Sequence, residues 1–298
     1  MRKRLAVAIA AALFLSYQWF PSGAWEPKRA RLEAVAEWRI SESWFGGFSG
    51  IEVAEDGQSF VAISDRSWLV RGNFKRTDGE ITGIILDERH ALHTTPGERL
   101  RNEFGDSEGL AVDGRNRTFV SFEAEDRVMQ INDSGHGREL PVSKAFDAMP
   151  RNGAFEALAV APDGDLFAIP ESPLGRANQA LVFQFDGRKW TQPFPISRHK
   201  KFRPVGADFG PDGRFYLLER AFNGFGFRSR VRRFDVTPNG FANETELIRT
   251  FFGMHDNLEG LSVWRDPEGH IRLTMISDDN YRFVQRTEIV EYIVFKTP

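Results

Sequence analysis

The chain has 298 residues, of which 41% are hydrophobic, 13% aromatic and 27% charged, a globular composition that excludes disorder as its main state. Thirty-nine Lys and Arg against 42 Asp and Glu leave a formal net charge of -3, so no overall basic field exists to hold nucleic acid or an anionic membrane. With no cysteine at all, disulfides, thiolate metal sites and cysteine nucleophiles are excluded together, and any metal must be held by oxygen or imidazole.

Lys3 and Arg4 precede an apolar run from Leu5 to Leu15, and Ser22-Gly23-Ala24 supplies small residues for cleavage. This pattern predicts an export signal over residues 1–24, ahead of one domain over 25–298. The run is too short to span a bilayer, so no membrane span is expected after cleavage, and the expected location is periplasmic or secreted. A strand-like segment, Leu32 to Ile40, comes next.

From there one pattern recurs five times: a small residue followed by alternating apolar positions, a turn, then a second apolar run ending in acid. The copies are Phe48 to Val53 with Phe60 to Asp65, Ser107 to Val112 with Phe119 to Glu123, and Phe155 to Val160 with Phe167 to Glu171. The fourth and fifth are Val205 to Phe209 with Phe215 to Glu219, and Leu258 to Val263 with Leu273 to Asp278. Asp56-Gly57, Asp163-Gly164, Asp212-Gly213 and Glu268-Gly269 join the two runs as hairpin turns, with glycine supplying the positive φ. Further strand-like pairs follow, such as Leu181 to Phe185 with Lys189 to Phe194. Four strands per unit of roughly 50 residues is the period of a propeller blade. The fold expected is therefore all-β, a β-propeller of five four-stranded blades closed by the N-terminal strand. A sixth, degenerate blade between Ser67 and Leu100 is the alternative.

In a hairpin, the start of the first strand and the end of the second lie at the same end. Asp65, Glu123, Glu171, Glu219 and Asp278 end the second runs, while Glu108, Glu156 and Glu259 start first runs, with Ser49 and Val205 in the other copies. About eight carboxylates should thus converge on one mouth of the channel and raise one another's pKa unless a cation sits among them. Calcium suits such a set, with magnesium or manganese as alternatives; Asp106, Asn152, Asp256, Asn257, Asp279 and Asn280 add oxygen donors. The competing reading pairs these acids with the arginines that follow several of them, as strand-end pins.

The basic run Arg198-His199-Lys200-Lys201 with Arg203 is expected beside the mouth, and His255 is a candidate general acid or base. There is no Gly-x-Ser-x-Gly elbow, P-loop or His-Glu-x-x-His motif; Ser49, in Gly46-Gly47-Phe48-Ser49-Gly50, mimics an elbow without a following helix. Phe222, Phe225 and Phe227 occupy a Gly-rich loop that could border the mouth.

Gly46-Gly47-Phe48-Ser49-Gly50-Ile51, Asp106-Ser107-Glu108-Gly109-Leu110, Leu217-Leu218-Glu219-Arg220 and Asp256-Asn257-Leu258-Glu259-Gly260-Leu261, with Ile276-Ser277-Asp278-Asp279-Asn280-Tyr281, carry a resemblance. Together they resemble the bacterial phytase-like domain family, "esterase-like activity of phytase", from about residue 44 to 295. The resemblance implies a phosphoesterase-type activity carried by recurrent acids. By analogy with calcium-dependent propeller phytases, calcium would neutralise substrate phosphate and activate a water.

The expected protein is therefore an exported, monomeric, calcium-dependent hydrolase of phosphate mono- or diesters, with no nucleic-acid partner. Glu108, Glu156, Glu259, Arg66, Arg203 and Arg220 are its expected catalytic residues, and Asp65, Glu123, Glu171, Glu219, Asp278 and Asp279 its expected metal ligands. The alternatives are a noncatalytic propeller that binds a ligand or partner, and a lactonase-like ester hydrolase.

Overall fold

The computed structural model describes residues 29–295 apart from 124, 150–152, 154, 173–177 and 200. The expected export signal, Asn152 and Lys200 lie outside the described residues. Strand β1 (Ala30–Glu37) is followed by a first sheet of β2 (Phe48–Val53), β3 (Ser59–Ser64), β4 (Trp68–Thr77) and β5 (Glu80–Ala91), hydrogen-bonded in that order. The segment weighed as a sixth blade is thus the outer pair of the first. The second sheet is β6 (Ser107–Val112), β7 (Thr118–Phe122), β8 (Arg127–Ile131) and β9 (Gly137–Glu139). The third runs through β10 (Phe155–Val160) and β11 (Leu166–Pro170); its outer strands are β13 (Phe183–Phe185) and β14 (Trp190–Thr191). A small ribbon of β12 (Gln179–Ala180) and β15 (Ile196–Ser197) flanks it. The fourth is β16 (Arg203–Phe209), β17 (Phe215–Phe222), β18 (Phe227–Thr237) and β19 (Gly240–Arg249). In the last sheet β20 (Asn257–Arg265) is innermost, then β21 (Ile271–Asp278) and β22 (Glu288–Val294), with β1 paired antiparallel to β22 at the outer edge.

The inner strands neighbour one another in a ring, β2 to β6, β10, β16, β20 and back to β2. This is a five-bladed β-propeller. Five apolar clusters form the core, one in each gap between adjacent blades; Phe119, Phe155 and Trp190 fill one, and Phe167, Phe215 and Phe234 another. Aromatic bulk suits these wedge-shaped gaps.

The repeated small residue has its own physical reason. A β-carbon on Gly260 would lie 2.7 Å from the backbone nitrogen of Ile51 in the next blade, and one on Gly109 would lie 2.7 Å from Cβ of Leu158. The inner strands approach too closely there for a side chain. The hairpin turns at the opposite end keep their expected chemistry, with Gly57, Gly164, Gly213 and Gly269 at positive φ and Asp56 accepting from the backbone N–H groups of Gln58 and Ser59.

Every inner strand carries a register shift against its partner at the same place: between Phe48 and Gly50, Ser107 and Leu110, Phe155 and Ala157, Pro204 and Gly206, and Leu258 and Gly260. Each is a one-residue bulge, a device that breaks the ladder locally and re-aims a side chain. The bulged residues are Ser49, Glu108, Glu156, Val205 and Glu259.

Candidate metal and phosphate site at the propeller mouth

Strand pairing fixes which residues are equivalent around the mouth. The residue following the last pair before each bulge is Asp65, Glu123, Glu171 and Asp278 in four blades, since the pairs are Phe48 with Ser64, Ser107 with Phe122, Phe155 with Pro170, and Leu258 with Ser277. In the fourth blade Pro204 pairs with Glu219 and Arg203 with Arg220, so the equivalent residue is Arg220. This corrects the sequence-based placing of Glu219 among the metal ligands. Side chains alternate along a strand, and Glu219 therefore faces away from the channel. There it accepts from Arg230 Nε at 2.6 Å and Nη2 at 3.0 Å, and from Arg232 Nε at 2.7 Å and Nη2 at 2.8 Å. All three side chains are 1% exposed. Glu219 is a buried pin between β17 and β18.

The mouth divides into two sides. On one, β6 and the end of β7 bring Asp106, Glu108 and Glu123 together, each offering an oxygen within 4.8 Å of the others. Glu123 accepts from the backbone N–H of Gly153. Among the described residues, no ion pair joins Asp106, Glu108 or Glu156 to a basic side chain within hydrogen-bonding range. Burial and the carboxyl groups of Glu156, Asp106, Glu259 and Glu123 hold Glu108 well above the usual carboxylate range. Burial and its acidic neighbours Asp65, Glu123 and Glu259 raise Asp106 to about 7. Glu156 is also pushed well above its ordinary value by burial, although Arg220 pulls it partly back.

On the other side Arg220 binds the carboxylates. It donates to Asn257 Oδ1 at 2.6 Å, to Glu171 Oε1 at 3.1 Å and to Glu259, while Arg203 donates to Glu171 Oε2 at 2.8 Å. Asn257 links Glu259, at 2.8 Å, to Asp278, at 3.2 Å. Burial remains the largest influence on Asp278, which rises to about 8.

The remaining expected residues hold the rim. Asp279 accepts from the N–H groups of Gly47 and Tyr281, both at 3.0 Å, and from Thr287 Oγ1 at 3.2 Å, so it fixes the β21–β22 loop. Tyr281, which sequence reasoning passed over, donates to Asp65 Oδ1 at 2.9 Å. Burial lifts Asp65 to about 6 despite this bond. Arg66 stacks on the Tyr281 ring, 3.2 Å from its centroid, and reaches Ser43 O at 3.3 Å. Ser49 Oγ donates to Ser107 O at 2.5 Å. Of the expected basic run, His199 turns outward to Glu244, at 3.3 Å, and among its described residues Arg203 is the one that touches the mouth acids. His255 is buried against Tyr292 Oη at 2.8 Å and lowered to about 4 by burial, which makes it a neutral packing residue.

These shifts set a pH dependence. Asp106 and Asp278 have folded values above their unfolded ones, so the folded state binds more protons and stability falls as pH rises through about 7 to 8. In chelator, the melting temperature should drop between pH 5 and pH 8.5. Saturating calcium should remove most of that drop. Thermal scans by circular dichroism across this window, with and without calcium, measure both.

The model of the family described as "Phytase-like: Esterase-like activity of phytase" matches residues 43–281. The chain belongs to this phytase-like family. No curated protein matches it. Among solved structures, similar chains include a virginiamycin B lyase from Staphylococcus aureus, 12% identical over 89% of this chain and 100% of that one, with a TM-score of 0.45. A gluconolactonase, XC5397 from Xanthomonas campestris, is 13% identical over 84% of this chain and 88% of its own, at 0.44. The PQQ-bound aldose sugar dehydrogenase from Streptomyces coelicolor is 10% identical over 90% and 99%, at 0.43. Such distant likenesses carry neither substrate nor mechanism to this phytase-like chain.

Proposed function

We propose that the mouth is the active site of an exported hydrolase of phosphate mono- or diesters that requires a divalent cation, calcium by preference. The observation that carries this reading is the division of the mouth: converging carboxylates on one side and Arg220 with Arg203 on the other. Asp106, Glu108 and Glu123 present hard oxygen donors close enough to share one ion, and calcium accepts such loose oxygen sets. Bound there, the ion would supply positive charge opposite the arginines, against the phosphate oxygens.

The protein's own groups complete the chemistry. Arg220 is oriented by Glu171, Glu259 and Asn257, so its guanidinium fork is set before a phosphate arrives. Burial holds Glu156 above the usual carboxylate range although Arg220 pulls it partly back, which suits it to give a proton to the departing alkoxide as water attacks phosphorus. Arg203, half-exposed at the rim, offers an outer contact for phosphate. Arg66, committed to Tyr281 and Ser43, positions the rim.

The test is thermal melting of the full chain with calcium or magnesium titrated in, followed by hydrolysis assays on phosphate monoesters, diesters and lactones. A ligand that binds only the folded state raises the melting temperature, by about 2.7 kcal/mol of stability at a hundredfold excess over Kd. A saturable calcium shift, absent from Glu108→Gln/Glu123→Gln, together with phosphoester turnover, is expected. No shift with either ion defeats the metal-dependent reading. The ion pairs of Arg220 with Glu171 and Glu259 favour a second reading in that event, a noncatalytic propeller whose acids pin its strands. Turnover of lactones alone would mark an ester hydrolase.

A further inference from the structure

The two faces of the propeller differ in more than the carboxylates. Among the described residues, nine of twelve exposed large apolar side chains stand on mouth-side loops or strand ends. Phe295, just past the end of β22, stands at the opposite end, and none stands on the turns of that face, which are short and rich in Asp, Asn and Gly. Scattered apolar residues on a surface are ordinary, whereas a contiguous group beside a site marks an interaction surface.

The group is contiguous. Phe222 and Phe225 lie at the β17–β18 turn, Phe251 and Phe252 on the β19–β20 connection, and Phe283 and Val284 on the β21–β22 connection. Gly253 N donates to Phe227 O at 2.8 Å, which joins the first two loops. Arg286 N donates to Asp256 Oδ2 at 2.8 Å, which joins the second and third. Phe225 and Phe283 are 99% and 101% exposed and Phe251 82%. Phe225 and Phe251 are projecting tips, and Phe283 with Val284 also borders a shallow pocket shared with Trp38, Arg39 and Phe45. On the tips themselves, residues 222–226, 250–255 and 282–286, the only acidic or basic side chains besides the buried His255 are Arg282 and Arg286.

We infer that this crest seats the mouth on an anionic lipid surface. Separate, fully exposed aromatic tips on hydrogen-bonded loops suit a fluid interface, which adapts to them; Arg282, and Arg286 through the half of its side chain left exposed by its ion pair with Glu288, present positive charge to anionic headgroups. The inference goes beyond the phosphoester reading and holds whether or not the mouth is hydrolytic. Combined with that reading, it makes phosphate esters displayed at a membrane surface the natural substrate class.

Because the chain has no cysteine, Val284→Cys creates a single site for an environment-sensitive fluorophore, and Glu268→Cys on the opposite face supplies the reference. The labelled full chain is mixed with vesicles of phosphatidylcholine alone or with phosphatidylglycerol, some containing brominated lipid. The expected result is a blue shift and bromine quenching at residue 284 with the anionic vesicles, none at 268, and at least a tenfold weaker partition for Phe225→Ser/Phe283→Ser with unchanged melting. Reading depth at residue 284 separates the crest from the apolar run at residues 5–15, which is common to every sample. A 284 label that stays in water on both vesicles overturns the inference even where the chain cosediments. So does a dimer in scattering measurements that Phe225→Ser/Phe283→Ser dissolves without changing vesicle binding, which would assign the crest to a second copy. Failure here leaves the calcium melting result untouched, so the two readings stand or fall separately.

Discussion

Glu219→Ala is expected to be the most damaging single substitution in the protein, costing about 3–5 kcal/mol. Both Arg230 and Arg232 are buried and aim their guanidinium groups at this one carboxylate. Removing it leaves two positive charges inside the fourth blade, facing each other with less to neutralise them. Arg232 retains Ser197 and Glu244, whereas Arg230 keeps a contact of 3.8 Å to Glu246 and the Phe202 ring 4.3 Å from its guanidinium, so Arg230 suffers most. For a domain of this size each kcal/mol corresponds to roughly 2–4 °C, so melting should fall by about 10 °C. Urea unfolding of Glu219→Ala beside Glu219→Gln checks the magnitude. If the variant instead melts normally but loses its calcium response, Glu219 belongs at the mouth and the pairing of Arg203 with Arg220 is wrong.

Glu108→Gln and Glu156→Gln should act in the opposite direction. Both carboxyls are held well above their usual range by burial first; acidic neighbours add to this in both, and Arg220 pulls Glu156 partly back. A neutral amide of the same shape relieves that conflict. In chelator near pH 8, each variant should gain about 0.5–2 kcal/mol, the usual gain where a functional site is relaxed. Glu108→Gln should lose the calcium-dependent rise in melting. Glu156→Gln should keep it and lose about 10²–10⁴-fold in phosphoester hydrolysis, the usual contribution of a positioned proton donor. A fall in stability for both, measured in chelator by thermal scans, would mean that these carboxyls hold structure and carry no conflict to relieve.

The architecture was legible because each blade carries the small residue and four of the five also carry an Asp-Gly or Glu-Gly turn with glycine at positive φ. Gly50, Gly109, Gly206 and Gly260 stand where neighbouring inner strands almost touch, and that constraint shows as a periodic small residue even without coordinates. The convergence of acids on one mouth was legible from the repeat, and in the fourth blade the reading fell one residue short. Glu219 and Arg220 are adjacent, and an eye following acids from copy to copy selects Glu219. Only the pairing of Arg203 with Arg220 shows which of the two enters the channel. The bulges were invisible because they lie in backbone hydrogen bonding, which no residue type at 49, 108, 156, 205 or 259 reveals. Tyr281 escaped for a different reason: its partner Asp65 is 216 positions away, and nothing local marks the contact. The aromatic loop residues Phe222 and Phe225 were visible as a cluster, but exposure distinguishes a crest from a core, and exposure is a property of the fold.

The five bulges also bear on how such a protein can change its task. A residue held out of the ladder surrenders no strand pairing when it is replaced, so Glu108, Glu156 and Glu259 are positions where mouth chemistry can change on a constant strand frame, whereas Ser49 bonds Ser107 O in the next blade and Val205 packs in the core. The chain already displays the range, with serine, valine and three glutamates on the same backbone device. A combinatorial library at residues 108, 156 and 259 would therefore sample new pockets on a constant frame, and diversification of this mouth would leave its trace at those three places first.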